Sequence, residues 1–131
     1  MTLEHPDARG LSARIGVIEE AYEFFLAYAS QGLPTESPQV REHLRKFDEA
    51  LTGIGSFLLA QVGELGLDAG AYRAFIGVIE RDAGDAQAAI LMVQAHRTVH
   101  SQIIDNLNAN IHIRALLTDL FLIDEVLKSR T

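Results

Sequence analysis

Residues 111–128 read Ile111-His-Ile-Arg-Ala-Leu-Leu-Thr-Asp-Leu-Phe-Leu-Ile-Asp-Glu-Val-Leu-Lys128. On a helical wheel this stretch is apolar over most of its circumference. Leu116, Leu120, Ile123 and Leu127 centre the apolar arc, and Leu117, Phe121, Leu122 and Val126 widen it on both sides. Arg114, Thr118 and Glu125 form the one clean polar stripe. A helix apolar nearly all round has to be covered on several sides. It is too short and too charged to span a membrane. The rest of the chain is therefore expected to pack around it, with one side left for a partner.

Upstream, residues 12–30 form a second apolar helix in the pattern, with Ser12 as its cap. Tyr22, Phe24, Phe25 and Tyr28 place four rings within seven positions, which makes this segment a heavy contributor to a core or an interface. Glu19, Glu20 and Glu23 mark its wet side, and Gly32 and Pro34 stop it. Residues 1–11 read as a loose arm. Ser37-Pro38 is a helix-start signal, and the next helix is expected to run to about residue 64. Val40, Leu44, Phe47, Leu51, Ile54, Leu58, Val62 and Leu65 recur along it at three- and four-residue steps. Gly53 and Gly55 weaken that helix by ~1 kcal/mol each relative to Ala. They mark a bend or permit close approach of a neighbour.

After a break at residues 63–66, Asp68 is placed to cap a third segment. Residues 69–104 fit one long helix or two shorter ones divided near Asp82-Ala-Gly84-Asp85, because Ala86, Ile90 and Val93 keep the phase of Tyr72 and Ile79. Residues 105–110 hold three Asn and one Asp and predict a tight connection, with Asn110 capping the last helix. An unbroken helix through this region is the alternative. The expected fold is all-α: a single-domain antiparallel bundle of four or five helices. Its core should come from Ile18, Phe25, Leu44, Leu51, Ile54, Leu58, Ile79, Ile90, Leu116, Leu120 and Ile123.

Composition narrows the function classes. The 131 residues fit one domain, and 48% hydrophobic residues with 22% charged is an ordinary globular balance. Net charge is −7, which weighs against nucleic acid and anionic membrane surfaces. The absence of cysteine excludes disulfides, thiol catalysis and cysteine-built zinc sites. The N-terminus lacks the pattern of a signal peptide, so a cytoplasmic protein is expected. There is no Gly-rich phosphate loop and no nucleophile elbow.

Several polar sets are candidates for chemistry. His96 and His100 are four residues apart and would share a helix face as metal ligands do, but lack a third ligand. Arg97 and Asp119 each fall on an apolar side. A hairpin at residues 105–110 would bring them together as a partly buried ion pair, with His100 and His112 nearby. That set reads either as a helix register device or as a pocket for a small anion. The acidic face of Glu19, Glu20 and Glu23 reads as solvated. Arg41, His43, Arg45 and Lys46 form the one basic cluster, partly neutralised by Glu42 and Glu49. No cofactor is expected. The leading expectation is a non-enzymatic protein that forms a homodimer and binds a protein partner as an adaptor or regulator. Phe24, Tyr28, Leu117, Phe121 and Leu122 are its expected interface residues. The alternative is a bundle holding a metal or small anionic ligand near Arg97, His100, His112 and Asp119.

Overall fold

The computed structural model describes residues 6–129. They form six helices and no strand: α1 (Pro6–Ser30), α2 (Val40–Leu51), α3 (Ile54–Glu64), α4 (Ala69–Gln94), α5 (Ser101–Ala109) and α6 (Ile111–Lys128). The plan is that of a four-helix antiparallel bundle whose second and fourth members are each broken once. Phe24 of α1 stacks on His43 of α2, while Arg14 reaches the carbonyls at Ala50 and Thr52. Arg41 of α2 reaches Gln94 at the end of α4, while Asp48 meets Gln87. Tyr28 meets Ser101, and Tyr22 meets Asn108. Each pair of helices thus runs in opposite directions. No helix among the described residues is long and apolar enough to cross a membrane.

One core draws on all six helices, and the eleven residues expected to build it are all buried. The helix boundaries differ from expectation where backbone chemistry overrides periodicity. α1 begins at Pro6, not at Ser12, so residues 6–11 are helix rather than arm; residues 1–5 lie outside the described residues. Proline is tolerated in a first helical turn, and Leu11 is buried in phase with Ile15 and Ile18. Ser37 does not cap α2. That helix starts at Val40, and the Ser37 amide instead donates to the Tyr28 hydroxyl.

The helix expected over residues 38–64 is interrupted at Thr52 and Gly53. Thr52 is extended, and Gly53 is left-handed at φ 71°, a region where a Cβ is costly. The hydrophobic stripe keeps its phase across the break. At Gly55 the side chain of Glu80 lies directly over the backbone, where a Cβ would collide with it. α3 ends in a Schellman motif: Gly66 is left-handed, its amide donates to the Gly63 carbonyl, and the Leu67 amide donates to Val62.

Asp68 caps α4 as expected, accepting from the Gly70 amide at 3.0 Å. α4 then runs without interruption through Asp82 and Asp85, because Ala83 and Ala86 are buried there. It stops at Gln94, a break the pattern did not announce. Residues 105–109 are helical, so the expected connection shrinks to a single joint, Asn110. Its Oδ1 accepts from the His112 amide at 2.9 Å, the capping role expected of it.

Candidate functional site

The joint at Asn110 determines the shape of the surface. α5 packs on α1, but beyond the joint α6 turns onto α4 and touches α1 only slightly. The wall between α1 and α6 stands open as a groove of about 260 Å3, lined by Glu19, Tyr22 and Glu23 from α1 and by Arg114, Leu117, Thr118 and Phe121 from α6. A smaller cleft of about 150 Å3 continues it toward α5 and shares Tyr22 and Arg114. In that cleft lies Asn108, 5% exposed, whose Nδ2 donates weakly to the Tyr22 carbonyl at 3.5 Å and whose Oδ1 has no partner. Along the rim of α6, Phe121, Leu122 and Val126 are 44%, 54% and 43% exposed. Large apolar side chains grouped around an open groove are what a protein-binding surface requires.

The residues expected to form an interface divide into two groups. Phe121 and Leu122 are exposed beside the groove. Tyr28 and Leu117 are buried, and Phe24 is held between the Tyr28 ring and the His43 ring, 4.0 Å away. Tyr28 is occupied inside the chain: its hydroxyl donates to the Val99 carbonyl at 2.6 Å, and its own carbonyl accepts from Ser101 at 2.6 Å. The aromatic richness of α1 therefore serves mainly the core.

The pocket expected from Arg97, His100, His112 and Asp119 does not assemble. Arg97 lies exposed in the turn after α4, and its carbonyl accepts from Arg41. Asp119 faces Asp82, twelve residues upstream of the end of α4, or about 18 Å along the helix. The hairpin count that paired Arg97 with Asp119 assumed a turn at residues 105–110. The actual reversal lies at residues 95–100. His100 caps α5, its Nδ1 accepting from the Ile103 amide at 3.4 Å. His112 lies in the first turn of α6, its Nδ1 3.7 Å from Asp85. His96 and His100 sit with ring centroids 6.3 Å apart, but His100 is no longer on the helix that carries the residues before His96. No group of three His, Asp or Glu side chains suited to a metal occurs among the described residues.

Asp119 has an unusual setting instead. Burial, together with the hydrogen bond and charge of Asp82, pushes its carboxyl up to about 7, and its Oδ2 is buried without a partner. Two carboxyls in contact hold a proton that either alone would release.

The basic cluster on α2 also has a structural occupation. Arg41 donates to the carbonyls of Gln94 at 2.7 Å, His96 at 2.8 Å and Arg97 at 3.3 Å, closing the C-terminus of α4. Glu36 holds the guanidinium from the other side at 2.7 Å and accepts from the Val99 amide. Those contacts hold the Glu36 carboxyl below the usual range, Arg41 contributing more than Val99. Arg45 pairs with Glu42 and Glu49 on the outer surface. The acidic face of α1 is divided as well. Glu19 and Glu23 line the α6 groove, while Glu20 lines a cleft toward α2 with Lys46. The groove-lining roles of Tyr22 and Arg114 had one trace in the sequence, the polar stripe through Arg114, Thr118 and Glu125.

Comparison with protein-family models, with curated proteins and with solved structures found no match to this chain.

Proposed function

We propose that this chain is a non-enzymatic, cytoplasmic helical-bundle protein that self-associates as a homodimer and presents a surface for a protein partner, in an adaptor or regulatory role. The observation that carries the reading is the open α1–α6 groove with Phe121, Leu122 and Val126 exposed along its rim. Leaving those side chains in water forgoes about 25 cal/mol for each Å2 of apolar surface that a partner would cover. The non-enzymatic part rests on the fate of the polar candidates. Arg41, His100 and Asn110 close helix ends, and Arg97 is separated from Asp119.

Light scattering at micromolar concentration should give about twice the chain mass. Phe121→Glu should return it to the chain mass with the helix content unchanged, because this side chain contributes little to the core. A wild-type monomer that binds no apolar dye would sink the proposal.

A further inference from the structure

The second copy has a definite pose if the groove is the site of self-association, and this inference rests on that reading. Arg114, Thr118, Phe121 and Glu125 follow one another at steps of four, three and four residues, and all four are exposed. They form a single line along α6, about 16 Å long, positive at its start and negative at its end. Leu122 and Val126 run beside it.

Both charges stand at the wrong end of their own helix. Arg114 is the fourth residue of α6, where the helix dipole disfavours a cation, and Glu125 is three residues from its end, where it disfavours an anion. Within the chain Arg114 makes no ion pair or side-chain hydrogen bond among the described residues. The Glu125 carboxylate accepts one side-chain hydrogen bond, from the Ser129 hydroxyl at 3.0 Å, and its nearest cation, Lys128, is paired with Asp124 at 2.8 Å.

We infer that α6 docks antiparallel on α6 of a second copy, with the two-fold axis passing between Thr118 and Phe121. Arg114 of each chain then meets Glu125 of the other, so two ion pairs form at once. Each charge also arrives at the end of the opposing helix that favours it. Phe121 and Leu122 meet near the axis and cover the groove. Glu19 adds to the acidic ground, because it lies close enough to the C-terminal end of α6 to act on Lys128. A parallel pose would set Arg114 against Arg114. A closed two-fold contact needs a patch complementary to itself, and this line meets that condition in the antiparallel sense alone.

The test is a charge-swap cycle on the full chain. Dimer dissociation constants are measured by sedimentation for the wild type, Arg114→Glu, Glu125→Arg and the double variant. Each single reversal should weaken the dimer about tenfold or more, and the double variant should return to within about threefold of wild type. The altered side chains are exposed, and circular dichroism checks that each variant folds. A second readout uses the absence of native cysteine. A short bismaleimide should join Thr118→Cys chains, whose residues lie about 5 Å apart along the axis. It should not join Lys128→Cys chains, offset by about 25 Å.

A monomeric wild type overturns both the inference and the reading beneath it. A dimer indifferent to both reversals, or one that the double variant does not restore, overturns this pose and leaves self-association standing. Cross-linking at position 128 but not at 118 does the same.

Discussion

Asp119 is the residue whose environment reverses its expected behaviour. An ion pair with Arg97 would have held its carboxyl ionised, whereas burial and Asp82 raise it from 3.8 to about 7. A raised value in the folded state means that folding favours the proton. The stabilising contribution is fully present below pH 3.8 and is lost as pH rises through about 7. Urea melts should therefore show stability falling between pH 4 and pH 8, by about 1–2 kcal/mol from this site, since solvent screening trims the full shift. Asp119→Asn should flatten that slope and be the more stable protein at pH 8. Its neighbour across the seam, Asp82→Asn, should flatten it too. Arg97→Met and Asp119→Leu should add within about 0.5 kcal/mol, as distant sites do; strong coupling between them would contradict the geometry. Arg41 is the second residue with a defined cost. Its removal strands the carbonyls of Gln94, His96 and Arg97 and the Glu36 carboxylate. Arg41→Ala should lose about 1–3 kcal/mol. Arg41→Lys should not rescue it, because an ammonium lacks the planar fork that reaches both sides.

The helices show why some of this was legible and some was not. Burial was legible: the apolar positions at three- and four-residue steps are the ones that face the core. Continuity was not. Val40 to Val62 keep one phase although the backbone breaks at Gly53, because periodicity reports which way side chains point and not whether the hydrogen-bond ladder is intact. The reverse ambiguity lay at Asp82-Ala-Gly84-Asp85, where cap-like residues left one helix or two open; they sit inside a continuous helix because Ala83 and Ala86 pack. The stop at Gln94 depends on Arg41, a residue 53 positions upstream, which no local pattern records. His100 likewise shows no capping role in the pattern, because nothing local records that a helix begins beside it. The two glycines at the start of α3 separate these effects. Gly53→Ala should cost about 1–2 kcal/mol, because a Cβ is strained in the left-handed region. Gly55→Ala should cost less, since the Glu80 side chain that occupies the space is flexible and can swing into water. Thermal melts of the two variants decide the order.

At the scale of the molecule, neighbouring positions on α6 belong to different surfaces. Leu120 is buried in the bundle, and Phe121 and Leu122 are open to water. Leu120→Ala should cost about 2–5 kcal/mol of folding stability through the cavity it leaves. Leu122→Glu should leave the melt of the monomer almost unchanged and act on association alone. Equal effects of both on unfolding would mean that the groove is part of the folding core. The excess of apolar residues over what one bundle can bury was visible in residues 111–128. Its location was legible in part: Phe121 and Leu122 are exposed where the pattern put excess apolar surface, but the groove beside them follows from the turn of α6 away from α1 at Asn110.

The Tyr28 knot joins both interhelix turns at one end of the bundle. Its hydroxyl holds Val99 and Ser37, while Ser101 pairs with the backbone of Leu33 and Tyr28. Toward the other end the tie is more exposed: Arg14 of α1 donates to the carbonyls of Ala50 and Thr52, and its guanidinium lies over the Phe57 ring of α3. Backbone amides should therefore exchange with deuterium in a gradient along the bundle axis. Those of Leu33 and Ser101 should open only with global unfolding, and those near Glu125 should open through local fraying. A force applied to the chain, or a protease probing it, would begin its work from that more exposed end.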